Sequence, residues 1–135
     1  MRQPDRQEVF VSYVFEDKAY SDQLKDWYRR GLLGDHEPVT ETNDVRQDGR
    51  GAIMGHLRPL LRGADAGIAL VGQNSHNRQW VDREVAYLRS NQKPVICVRI
   101  PNTTGAAPPE LQNIPEVHFS PQDIKRALDA ALRGW

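Results

Sequence analysis

One carboxylate in this chain sits where its neighbours argue against it. Glu84 lies in the stretch from Trp80 to Leu88, WVDREVAYL, in which Trp80, Glu84 and Leu88 recur at intervals of four. At that spacing Trp80, Glu84 and Tyr87 share one helical face. A carboxylate on an apolar face is costly to bury. Two readings are open: a slightly rotated helix leaves Glu84 in water beside Arg83 or Arg89, or a site requires it. A single buried glutamate can stabilise an oxocarbenium-like centre, or hold a ribose hydroxyl while a glycosidic bond breaks. Tyr13, Phe15 and Trp80 offer flat surface on which rings could stack, and would serve equally well as core.

Other chemistry finds less support. His36, His56, His76 and His118 are scattered, none with a second ligand at metal-binding spacing. His118, inside a strand pattern, reads as a packed residue. Ser75 and His76 are adjacent, so their side chains diverge and make no triad. There is no GxGxxG and no P-loop. Asp48-Gly49-Arg50-Gly51 is a weak anion-site candidate before a helix, with a plain loop the simpler account. Eighteen basic residues balance eighteen acidic ones, so no net field favours nucleic acid or a membrane surface. No apolar stretch reaches membrane-spanning length and the N-terminus is no signal peptide. The single cysteine, Cys97, falls in an apolar run and reads as a small core residue in a reducing cytosol.

The elements that must position these groups follow from the apolar pattern. Residues 1–7 are polar and read as a flexible tail, and 8–135 as one domain. Glu8 to Phe15 is a strand too apolar to face water on one side. An amphipathic helix from Asp17 to Arg30 turns Tyr20, Leu24, Trp27 and Tyr28 inward and ends at Gly31. A weak strand is expected from Pro38 to Thr42, with Pro38 at its first position or on an edge. A helix from about Gly51 to Arg62 carries Ile53, Leu57, Leu60 and Leu61, with Pro59 bending or breaking it. Gly67 to Val71 is a buried strand, Gln73 to Arg78 a polar loop, and the Glu84 helix follows. Lys93 to Ile100 and Glu116 to Phe119 are the last strands. Ser120 and Pro121 open a closing helix to about Arg133 that turns Ile124, Ala127, Leu128 and Leu132 inward.

Continuous apolar strands alternating with amphipathic helices predict a parallel sheet covered on both faces. Five strands suit a flavodoxin-like three-layer α/β sandwich of order 2-1-3-4-5. There the chain turns to opposite faces after strands 1 and 3, and the crevice at their C-terminal ends is the default ligand site. Strand 1 delivers Ser12, Tyr13, Val14 and Phe15 to it; strand 3 delivers Gly72 to Trp80, including Asn74. Glu84, one turn beyond Trp80, can face the same crevice.

At these residues the chain resembles the TIR and TIR-like domains. VFVSY is similar to the family's opening strand, with Glu16 or Asp17 as the acidic residue that follows it. Ile53, Leu57 and Leu61 before GADAGIALVG resemble helix two running into strand three. Trp80-Val81-Asp82-Arg83-Glu84 resembles the W-[CV]-x-x-E signature, and QKPVICVRI the fourth strand. The likeness spans about residues 8 to 132, and the short chain looks most like the stand-alone Thoeris ThsB-type proteins. The loop Asn43 to Arg50 lacks the proline-glycine signature of receptor and adaptor TIR domains.

The resemblance implies a cytoplasmic NAD+ glycohydrolase or ADP-ribosyl cyclase, with NAD+ as substrate and no further cofactor or metal. It implies Glu84 as the catalytic residue, with Ser12, Tyr13, Phe15, Trp80 and Asn74 around the substrate. It also implies a cyclic ADP-ribose-type product that activates a separate effector in anti-phage defence, and allows a homo-oligomer. Two other classes are carried beside it: a non-catalytic TIR-like interaction module, and a nucleoside ribosyl-transfer enzyme using Glu84 as nucleophile.

Overall fold

A computed structural model describes residues 6–40, 61–73, 79–107 and 109–133, without the side chains of Phe15, Gln79, Trp80, Val81, Asp82, Glu110 and Arg133. Five strands form one sheet: β1 (Gln7–Ser12), β2 (His36–Val39), β3 (Ala66–Val71), β4 (Val95–Arg99) and β5 (Glu116–His118). Their order is 2-1-3-4-5 and every pairing is parallel. Three helices are described in full, α1 (Lys18–Arg29), α2 (Gln79–Ser90) and α3 (Pro121–Arg133). The architecture is the expected flavodoxin-like, TIR-like α/β sandwich.

The alternation along each strand divides the core in two. Val9, Val11, Ile68, Leu70, Ile96 and Val98 point to one face, where they meet Leu24 of α1 and Ile124 and Leu128 of α3. Tyr20, Trp27 and Phe119 close that layer, with Phe119 packed edge-on to Tyr20 and tilted against Trp27. On the other face Phe10 packs with Leu61 and Leu88, and Ala69, Val71 and Cys97 pack with Val85 and Leu111. Each large side chain sealed in this way contributes about 1.5–3 kcal/mol relative to an exposed one. β3 is buried at every position because it lies mid-sheet with helices on both sides.

The helix ends follow local chemistry. Gly31 takes a positive φ of 80° where α1 stops, a conformation that costs glycine little. Ser120 caps α3: its Oγ accepts the Asp123 N–H at 3.2 Å, and Pro121 fills the first turn, where no donor is needed. Lys93 donates to the carbonyls of Leu61, Arg62 and Ala64, tying the end of the preceding helical turn to the start of β4.

Three expectations need correction or qualification. β2 runs from His36 to Val39, two residues earlier than expected, so Pro38 lies inside the strand opposite Val9. The edge position was right, and it is what tolerates a residue with no N–H. β1 begins at Gln7, whose N–H reaches the Asp35 carbonyl at 2.8 Å. His118 is exposed rather than packed, because β5 is the opposite edge strand. The expected helix from Gly51, with Ile53, Leu57 and Pro59, lies outside the described residues except for its last turn, as do the Asn43–Arg50 loop and residues 1–5.

Candidate active site

The crevice is built where the chain leaves β1 and β3. Ser12 ends β1 opposite Ala69, and Gly72 follows β3 directly. α2 rises on one face of the sheet beside these ends, while α1 starts on the other.

Glu84 is completely buried, and Ser12 Oγ donates to Glu84 Oε1 at 2.5 Å. That length is typical of a hydroxyl donating to a carboxylate. The solvated-flank reading of Glu84 is therefore wrong: Arg83 and Arg89 are exposed, and Glu84 points the other way. Val85 and Leu88 are buried on the same helix and fix its rotation. Gly67 sets the depth of the helix. A Cβ at residue 67 would lie 2.6 Å from Leu88 Cδ1, so the glycine leaves the room in which Leu88 seats. Glu84 stands one turn before Leu88 and thereby reaches the end of β1 rather than its middle.

The structure brings together only part of the expected set. Ser12 and Glu84 meet directly. Tyr13, 5% exposed, packs in the core cluster with Leu24 and Ile124, on the side opposite α2. Tyr13 follows the last residue of β1 and packs on the face opposite the one where Ser12 meets Glu84. Phe15 lies in a 3-10 turn, Phe15–Asp17, and Trp80 in the first turn of α2; their side chains, and all of Asn74, lie outside the described residues.

Two neighbours adjoin these strand ends, one that the sequence did not point to and one, Asp17, that it offered only as an alternative to Glu16. The loop after β4 braces the loop after β3: Thr104 N–H donates to Gln73 Oε1 at 3.0 Å, and Gln73 Nε2 lies 3.4 Å from Thr104 Oγ1. Gly105 seals this contact, since a Cβ there would collide with the carbonyl oxygens of Gly72 and Gln73. On the other side of Gly72 lies Asp17. Its carboxylate is 9% exposed as a residue, and burial, with the Glu16 charge beside it, holds its pKa above the usual aspartate value. The resemblance left this acidic position to either Glu16 or Asp17, and it is Asp17 that is buried.

Elsewhere the titratable groups serve the scaffold. Arg99 pairs with Glu116 through its Nη2 at 2.5 Å and its Nε at 3.1 Å, pinning β5 to β4; this hydrogen-bonded pair lowers the Glu116 pKa. Cys97 is buried, and desolvation pushes its thiol up to about 11, which leaves little nucleophilic thiolate. Among the described residues no three His, Cys, Asp or Glu side chains gather as metal ligands would. Among them, too, no helix is long and apolar enough to cross a membrane.

A parallel 2-1-3-4-5 sheet with a glutamate buried against the end of its first strand, at the switch point of the topology, is the arrangement of a TIR-like α/β domain. Comparison with known families narrows this: residues 10–105 match the model described as Thoeris protein ThsB, TIR-like domain. The chain belongs to that family, and so to the proteins of Thoeris-type anti-phage defence. The matched span carries both Ser12 and Glu84. No curated protein matches the chain.

Proposed function

We propose that the protein cleaves the nicotinamide–ribose bond of NAD+ at Glu84 and closes the ADP-ribosyl product into a cyclic signal. The observation that carries this reading is the buried Ser12–Glu84 pair at the C-terminal ends of the central strands. A carboxylate held away from water, in a family tied to defence signalling, suits a reaction that develops positive charge on a sugar.

In this reading the C1′–N bond breaks with its electron pair going to the ring nitrogen. Nicotinamide leaves neutral, and the positive charge passes to the ribosyl carbon and ring oxygen. Glu84 stabilises that charge and accepts hydrogen bonds from the ribose hydroxyls. Ser12 acts through Glu84, fixing one of its oxygens so that the carboxylate is already oriented before charge develops. Attack by a nucleophilic group elsewhere in the same ADP-ribosyl unit closes the ring and releases a proton; attack by water gives linear ADP-ribose and a proton. Burial of the pair favours the internal nucleophile by limiting water. A separate effector that recognises the cyclic product is the partner this mechanism calls for.

The test is to incubate purified protein with NAD+ or with free nucleosides and resolve the products by mass spectrometry. The proposal expects nicotinamide with cyclic or linear ADP-ribose from NAD+, and no cleavage of nucleosides. Cleavage of nucleosides alone would transfer the site to the ribosyl-transfer reading.

A further inference from the structure

Asp17 occupies the N-cap position of α1 and does not cap it: its side chain makes no hydrogen bond to the helix N–H groups. The carboxylate turns instead against the first residue after β3. A Cβ built on Gly72 would lie 2.6 Å from Asp17 Oδ2 and 3.1 Å from Oδ1, so the absence of a side chain at residue 72 is what admits it. Oδ2 is sealed from solvent and has no hydrogen-bond partner among the described residues. An aspartate in this state lowers stability: it desolvates a charge and forgoes the cap that the same residue could supply. Such a cost points to function when the group stands at a ligand crevice.

Asp17 and Glu84 reach that crevice from opposite layers of the sandwich. Glu84 comes from α2 and is fixed on Ser12 at the end of β1; Asp17 comes from the start of α1 and is fixed on Gly72 beyond the end of β3. β1 and β3 are neighbours in the sheet, so the two carboxylates stand at the C-terminal ends of adjacent strands, where the topology puts the ligand site. We propose that Asp17 is a specificity-determining charge of this site, which favours the positively charged nicotinamide ring of oxidised NAD+ over the neutral ring of the reduced dinucleotide. The inference rests on the NAD+ reading above. Asp17 acts through its field, which a low-dielectric surrounding screens weakly, so no direct contact with the ring is required. Because the ring is cationic before the bond breaks, Asp17 contributes to binding rather than to the chemical step.

The experiment uses the full chain carrying Glu84→Gln, so that bound NAD+ is not consumed, with and without Asp17→Asn. Binding of NAD+ and of NADH is measured by calorimetry, and each protein is melted. The expected result is that Glu84→Gln binds NAD+ more tightly than NADH. Adding Asp17→Asn should weaken NAD+ about tenfold, leave NADH unchanged, and hold or raise the melting temperature. Equal loss of both affinities, an unchanged preference, or a clearly lower melting temperature would make Asp17 a structural residue and overturn the inference while leaving the NAD+ reading in place. If Glu84→Gln binds neither dinucleotide because its ribose contacts are lost, the same comparison is made with Glu84 in place, as KM for NAD+ against inhibition by NADH. Failure of that protein to bind or consume NAD+ would overturn the NAD+ reading itself, and this inference with it.

Discussion

Ser12 and Glu84 stand 72 positions apart in the chain and meet across a 2.5 Å hydrogen bond that is sealed from water. The bond joins the end of β1 to the second turn of α2. It is therefore both a tie between two elements and the device that orients a carboxylate. Its two roles can be separated by measurement.

Ser12→Ala removes the donor and leaves Glu84 Oε1 buried without it. Loss of a partner to a buried charged acceptor costs about 1–3 kcal/mol, visible as a lower urea midpoint. Turnover of NAD+ should fall further than this, by about a hundredfold, because a carboxylate free to rotate is no longer preorganised. The fall should appear in kcat more than in KM. A variant that loses stability with kcat intact would make Ser12 a tie and nothing more.

Gly105→Ala tests whether the braced loops matter to the site. The added methyl meets two backbone carbonyl oxygens, which cannot rotate away as a flexible side chain would. Gly72 and Gln73 must shift. We expect KM for NAD+ to rise several-fold and the melting temperature to fall, since the clash is with backbone at a buried position. Unchanged kinetics would separate this loop from the substrate.

At the far end of β2 the His36 ring N–H donates to Asp129 Oδ1 at 2.6 Å, and Lys125 donates to Oδ2 at 2.9 Å. Burial opposes ionisation of Asp129, but the His36 and Lys125 contacts outweigh it and hold the pKa below the usual 3.8. A carboxyl with a lowered folded-state value stabilises the fold above its unfolded value and loses that contribution as pH falls through the folded one. Asp129→Asn should therefore lower the urea midpoint at pH 7, and the gap from the natural sequence should close below about pH 3.8. A gap that persists at lower pH would assign the effect to packing.

Much of this fold was legible because its central strands are apolar on both faces. VFVS, AGIALV and VICVR have no polar face to expose, and that alone demands a parallel sheet between two helical layers. The edge strands were less legible. HEPV is buried at alternate positions only, and its proline left a strand start or an edge open; the edge is what accommodates it inside the strand. His118 was misplaced for the same reason: a short strand pattern does not say whether the strand is central or marginal. At the site, the spacing of Glu84 placed it on the apolar side of α2 but could not decide between burial and a small rotation. That decision depends on Leu88 seating against Gly67, a contact between residues 21 positions apart that no helical period encodes. Asp17 was legible only as one of two adjacent acidic residues, because nothing in the local pattern says which of Glu16 and Asp17 turns inward.

The most direct test compares NAD+ consumption by the natural sequence with that of Glu84→Gln, purified and again in lysate from phage-infected cells. The amide keeps the shape of Glu84 and can still accept the Ser12 hydrogen bond, so its melting temperature should stay close to that of the natural protein. The account predicts nicotinamide release by the natural sequence and its loss, by about a thousandfold or more, in the variant. Equal NAD+ consumption by both proteins, or none by the natural sequence in either setting, would contradict it.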